Sequence, residues 1–74
     1  MQVTVKLFAT LRDGRFKEEM TELKDNGRVI DVIEKYHLPM EEVAICMVNG
    51  RDADTEHVLQ NGDTVALFPP VGGG

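Results

Sequence analysis

The stretch Arg28-Val-Ile-Asp-Val-Ile-Glu-Lys-Tyr-His-Leu-Pro39 is the segment of this chain with a helical pattern. Four side chains in it recur at the spacing i, i+3, i+4, i+7, which places them on one stripe of an α-helix. These residues are Val29, Val32, Ile33 and Tyr36. The stretch therefore predicts one amphipathic helix that buries a single face.

Both ends of this helix carry sequence signals. Pro39 disfavours α geometry at Leu38 before it, so the helix should stop there. At the start, Arg28 stands where a capping Ser or Thr is common, which leaves Asn26 or Gly27 to supply the cap.

Strand patterns precede the helix. In residues 1–9, Val3, Val5 and Leu7 alternate with polar residues, as in a strand with one buried face. Asp13-Gly14 is a turn signal, and residues 16–24 form a weaker, polar strand pattern. The first third of the chain is therefore expected to form a hairpin.

Three more strands are expected after the helix. Residues 43–48 are continuously apolar and end at Asn49-Gly50, a strong signal for a two-residue hairpin turn. Residues 57–63 indicate a short turn or 3₁₀ stretch, and residues 64–68 a last strand. The order β-β-α-β-β-β indicates an α+β domain over 1–68, followed by a tail over 69–74.

This order resembles the β-grasp, or ubiquitin-like, fold: a mixed sheet of about five strands with one main helix packed across it. The first and last strands are expected to pair in the middle of the sheet, because they are among the most apolar. If Val65 and Leu67 face the helix, Ala66 and Phe68 face outward. Phe8 and Met47 should share that open face with Phe68, and such side chains often mark a docking surface.

Composition excludes several functions. The chain has 74 residues and a net charge of −5, which disfavours nucleic acid binding. The cluster Arg12, Arg15 and Lys17 favours a solvated turn over a contact for an acidic partner. No apolar run is long enough to cross a membrane, the start lacks the features of a signal peptide, and Cys46 is the single cysteine. A cytoplasmic protein is expected.

The last six residues are Pro-Pro-Val-Gly-Gly-Gly. Pro69 and Pro70 cannot continue a sheet ladder and should carry the chain off the sheet in a stiff path. The glycines 72–74 can enter a tunnel too narrow for any Cβ atom and carry the terminal carboxylate into it. Such an end favours activation of the carboxyl carbon; an inert or artificially placed terminus is the alternative.

Residues 62–74 resemble the end of the small subunit of molybdopterin synthase, in the MoaD/ThiS-type family of ubiquitin-like sulfur carriers. The stretches 6–13 and 48–50 resemble the opening strand and the central hairpin of the same family. The resemblance implies that a ubiquitin-activating-enzyme-like adenylyltransferase uses ATP to adenylate Gly74, which then becomes a thiocarboxylate. The chain itself is expected to bind no cofactor or metal.

The resemblance also implies partners and roles. The sulfur would come from a donor such as a cysteine desulfurase or rhodanese and pass, in the large synthase subunit, to a pterin precursor. Partner-binding residues would be Phe8, Met47, Phe68, Pro69, Pro70, Gly72 and Gly73. Three glycines stand where two are usual, so the register of the tail is open. Alternatives are a sulfur carrier for thiamine thiazole synthesis, a protein modifier, and a binding module with an inert tail.

Other reactive side chains have simpler interpretations. Cys46 lies within an apolar strand with no neighbouring base, which favours a core cysteine. His37 and His57 are isolated, and Asp52, Asp54 and Glu56 lack the spacing of a calcium loop. Because the chain has no phosphate-binding loop, ATP should be bound by a partner.

Overall fold

The computed structural model describes residues 1–70. The predictions for Gly72, Gly73 and Gly74 lie outside the described residues. Within them the chain forms five strands and one α-helix, together with two short 3₁₀ turns. The strands are β1 Gln2–Leu7, β2 Glu18–Glu22, β3 Ile45–Val48, β4 Arg51–Ala53 and β5 Thr64–Phe68, and the helix is α1 Val29–Lys35.

The strands form one sheet in the order β2-β1-β5-β3-β4. β1 and β5 run parallel in its centre, and the other neighbouring pairs are antiparallel. This is the predicted mixed sheet of β-grasp type, with the first and last strands paired. Such pairing needs a crossover between parallel strands, and the segment that contains α1 provides it.

The core lies between the sheet and the helix. Val3, Val5 and Leu7 of β1 are buried, as the alternation predicted. Three helix residues pack in the same cluster: Val29, Val32 and Ile33. Tyr36, predicted on the same stripe, is the residue that follows the helix and is half-buried.

The start of the helix corrects the predicted cap. The N-cap is Arg28, not Asn26 or Gly27. Asn26 has φ = 65°, and the Gly27 N–H donates to the Lys24 oxygen at 3.1 Å, so both belong to the preceding turn. Arg28 has no side-chain acceptor to offer, but its backbone N–H donates to the Asp31 carboxylate at 2.7 Å. A side chain inside the first turn therefore caps the helix from within.

The helix ends at Lys35, earlier than Pro39 alone would require. His37 has φ = 54°, the left-handed conformation that usually favours glycine. Its N–H donates to the Glu34 oxygen at 3.1 Å, and the Leu38 N–H donates to the Ile33 oxygen at 3.0 Å. These two bonds form a Schellman motif, which ends the helix before the proline.

The hairpin after β3 is confirmed, and so is the turn after β4. Asn49 and Gly50 have φ values of 53° and 81°, the positive pair that a type I′ turn requires. Of the two alternatives predicted for residues 57–63, the structure has the turn, together with a bridge between Val58 and Arg28. The 3₁₀ turns lie instead at Ala9–Arg12 and Met40–Glu42. Within residues 1–70, α1 is too short to cross a membrane.

Candidate functional site: the open face and the root of the tail

The sheet face opposite the helix carries the predicted outward residues. Val65 and Leu67 of β5 are fully buried, whereas Ala66 and Phe68 are half-buried on the other face. In β3, Met47 is likewise half-buried and its neighbours Cys46 and Val48 are buried. The predicted facing of β3 and β5 is therefore correct.

Phe8 and Phe68 meet on this face. Their ring centroids are 4.3 Å apart and the ring planes differ by 13°, so the two rings stack. Each ring covers part of the other, which explains why both are half-buried. Aromatic pairs of this kind contribute about 0.5–1.5 kcal/mol beyond the area that they bury. The pair is thus part of the fold as well as an available surface.

The register of β3 against β5 adds a residue that the sequence analysis missed. Ile45 lies directly opposite Phe68, and Met47 lies opposite Ala66. Ile45 is 41% exposed, more than any other large apolar side chain of this part of the face. Alternation contained the signal, since Ile45 precedes Met47 by two residues and must face the same way. We call Phe8, Ile45, Ala66, Met47 and Phe68 the open-face patch.

A cation borders the open-face patch. The guanidinium carbon of Arg12 lies 5.2 Å from the centre of the Phe8 ring. The Arg12 Nε–H donates to the Leu7 carbonyl oxygen at 2.6 Å, which holds the side chain at the end of β1. The predicted solvated turn thus contains one arginine that is packed on an aromatic ring.

The root of the tail is held on two sides. The Phe8 N–H donates to the Leu67 oxygen at 3.2 Å, and the Ala44 N–H donates to the Phe68 oxygen at 2.9 Å. Pro69 follows at once and is half-buried, and Pro70 is exposed. β5 ends at Phe68 because a proline has no N–H with which to extend the ladder. The tail therefore leaves beside the open-face patch.

Other titratable side chains lie apart from this face. Cys46 is buried on the core side of β3; burial raises the pKa of its thiol, and the Asp54 carboxylate adds to the rise. A raised pKa leaves less thiolate at neutral pH, so Cys46 is a poor nucleophile. Within residues 1–70, no three His, Cys, Asp or Glu side chains come together as metal ligands.

A five-stranded mixed sheet with one helix across it and a tail leaving its central strand defines a ubiquitin-like protein of β-grasp type. The chain belongs to the ThiS family, whose model matches residues 5–74. The match covers the open-face patch and the glycine tail. This family and its MoaD-like relatives share the ubiquitin-like sulfur-carrier fold.

Solved structures share this fold. A candidate molybdopterin converting factor subunit 1 from Pyrococcus furiosus is 34% identical, with 96% of this chain and 99% of that chain covered and a TM-score of 0.74. SAMP1 from Haloferax volcanii is 24% identical over the whole of both chains, with a TM-score of 0.80.

A third structure is a complex of subunits 1 and 2 of the molybdopterin-converting factor from Helicobacter pylori. The matched chain is 22% identical to this one over the whole of both chains, with a TM-score of 0.68. The Haloferax and Helicobacter chains show the fold alone. A comparison with curated proteins gave no match.

Proposed function

We propose that this chain is a sulfur carrier whose terminal Gly74 becomes a thiocarboxylate and donates its sulfur in molybdopterin synthesis, as the small subunit of molybdopterin synthase. The observation that carries the proposal is the family match through residue 74, which includes the Pro-Pro-Val-Gly-Gly-Gly end. The relative from Pyrococcus furiosus supports the molybdopterin pathway, because it is named as a molybdopterin converting factor and is 34% identical.

The chemistry begins at the terminal carboxylate. A partner adenylyltransferase binds ATP, and the Gly74 carboxylate attacks the α-phosphorus, which gives an acyl-adenylate and releases pyrophosphate. Hydrogen sulfide ion then attacks the acyl carbon and AMP leaves, which gives the thiocarboxylate. If a desulfurase or rhodanese supplies the sulfur as a persulfide, attack gives an acyl disulfide, and a thiol must reduce it to release the thiocarboxylate.

The open-face patch gives the partners a surface next to the tail. Phe8, Met47 and Phe68 would contact the partner, and Pro69 and Pro70 would direct the tail toward its active site. Gly72 and Gly73 would thread that site, because they present no side chains. The complex from Helicobacter pylori pairs a chain of this fold with subunit 2, which supports a large synthase subunit as partner.

The test is the intact mass of the chain after incubation with the activating enzyme, ATP and sulfide. Exchange of one oxygen for sulfur should raise the mass by about 16 Da, and omission of ATP should prevent the rise. Deletion of Gly74 should also prevent it, because the new end lies about 3.5 Å short of the reacting position. A truncated chain that still gains sulfur would contradict the assignment of Gly74.

A second stage distinguishes the pathways. The loaded chain should lose about 16 Da when it meets the large synthase subunit and a cyclic pterin precursor, since water replaces the sulfur. Loss of sulfur only to a thiazole synthase would favour the thiamine pathway. Ladders of conjugates on a denaturing gel would favour a protein modifier, and an unchanged mass throughout would favour an inert tail.

A further inference from the structure

The contacts of Arg12 are unlike those of its basic neighbours. Its guanidinium lies over the Phe8 ring, and that ring stacks on Phe68. We propose that Arg12 is a positioning residue: through Phe8 it fixes Phe68, and so sets the point and direction from which the tail leaves the sheet. The inference rests on the proposed function and identifies a residue on which delivery of the terminal carboxylate depends.

Arg12 is itself held firmly enough to act in this way. Its Nε–H donates to the Leu7 oxygen at 2.6 Å, and Leu7 is fully buried at the end of β1. The cation is therefore anchored to the central strand that precedes Phe8. A cation over an aromatic ring attracts the ring through its quadrupole, most strongly when both are partly shielded from water. Loss of the guanidinium would free the Phe8 ring to leave its stacked position.

Phe68 turns this stack into a constraint on the tail. Its carbonyl accepts the Ala44 N–H at 2.9 Å, and its ring lies 4.3 Å from that of Phe8. Pro69 follows with a ring-fixed φ, so the orientation of Phe68 is passed on to the next residue. Six residues reach at most about 20 Å when extended. A change of about 10° at the root would therefore move the end of an extended tail by about 3.5 Å, roughly one residue.

Arg15 is the control that distinguishes a positioning role of Arg12 from an effect of positive charge alone. It carries the same charge as Arg12 and also bonds a backbone oxygen, that of Leu11, at 3.2 Å. Within residues 1–70 its guanidinium lies over no aromatic ring, and the residue is exposed. If the basic cluster acted only by attracting an acidic partner, loss of either charge would have the same effect. If Arg12 acts through Phe8, only its loss should loosen Phe68.

The first experiment measures amide hydrogen exchange at Ala44, whose N–H donates to Phe68. Arg12→Met should speed exchange at Ala44 by about two- to fivefold, the effect of one partly exposed cation–π contact. Exchange of amides in the central strands reports global unfolding, so it allows the Ala44 exchange rate to be corrected for any loss of overall stability. Arg15→Met should leave Ala44 exchange unchanged, and Arg12→Lys should recover part of the protection, because an ammonium also binds an aromatic face.

The second experiment is a double-mutant cycle with Phe8→Leu, which keeps apolar volume but removes the ring. In that background Arg12→Met should have no further effect on Ala44 exchange, because the element that links Arg12 to Phe68 is already absent. Additive effects would show that Arg12 does not act through Phe8 and would overturn the proposal.

The rate of sulfur loading onto the chain measures the functional effect of each variant. With the activating enzyme, ATP and sulfide, Arg12→Met should load about two- to fivefold more slowly than the wild type and Arg15→Met at the wild-type rate. Equal slowing of both variants would overturn the positioning role in favour of charge. A wild-type chain that takes up no sulfur would refute the proposed function, whereas unchanged Ala44 exchange in Arg12→Met would refute the positioning role.

Discussion

Ile45 gives the sharpest test of the open-face patch, because only the register of the sheet places it beside Phe68. The change is Ile45→Glu, which puts a carboxylate on an exposed position of that patch. The free chain should tolerate it, since the side chain is 41% exposed and the carboxylate can remain in water. We expect a loss of about 1 kcal/mol in the free energy of unfolding, from the apolar contacts that the isoleucine makes.

The effect on partner binding is much larger. Full burial of the three Ile45 carbons beyond Cβ contributes about 2.4 kcal/mol, at about 0.8 kcal/mol per carbon. Since 41% of the side chain is exposed in the free chain, burial of that part by a partner would add about 1 kcal/mol to the binding free energy. A glutamate buried without a partner must first be protonated, which costs about 3.7 kcal/mol at pH 7. The sum weakens binding on the order of 10³-fold at the centre of an interface, and about fivefold at its rim.

The assay is calorimetric titration of the chain into the large synthase subunit, and Val58→Glu is the matched control. The exposed fraction of Val58 is 46%, similar to the 41% of Ile45. Val58 lies outside the five strands of the sheet, at the bridge with Arg28. Val58→Glu should bind like the wild type. If Ile45→Glu also binds like the wild type while remaining folded, the open-face patch is not the docking surface.

Two further predictions concern stability. His37→Gly should raise the free energy of unfolding by about 0.5–1 kcal/mol, measured by urea, because glycine relieves the left-handed strain at φ = 54°; a loss of stability would show that the His37 side chain contributes more than its backbone costs. Burial raises the pKa of the Cys46 thiol in the folded chain, so this thiol ionises in the unfolded chain first, as pH rises through about 8.5. Above that pH the free energy of unfolding should fall by at most about 1.4 kcal/mol per pH unit. Cys46→Ala should reduce that slope, and an identical slope in the variant would assign the decline to other groups.

Local patterns in the sequence were sufficient for most of the fold. The alternation in β1 predicted which side chains are buried, and Asn49-Gly50 predicted a two-residue hairpin turn, because both signals depend on neighbouring residues alone. The helix ends were less predictable. The Asp31 carboxylate caps the helix by accepting the backbone N–H of Arg28. His37 adopts the left-handed conformation, which a residue with a side chain disfavours. The start of the helix also depends on a distant segment, because the Val29 and Ile30 N–H groups donate to the His57 and Thr55 oxygens.

The sequence by itself determined the composition of the tail: two prolines, a valine and three glycines. It also determined that Phe8 and Phe68 point away from the core, since the period of a strand is two. Only the tertiary structure decided that the two rings stack, that Ile45 stands opposite Phe68, and that Arg12 lies over Phe8. The physical reason is that Phe8, Ile45 and Phe68 come from segments far apart in the chain, and pairing between strands sets their distances. Arg12 is near Phe8 in the sequence, but its place over the ring depends on the 3₁₀ turn Ala9–Arg12.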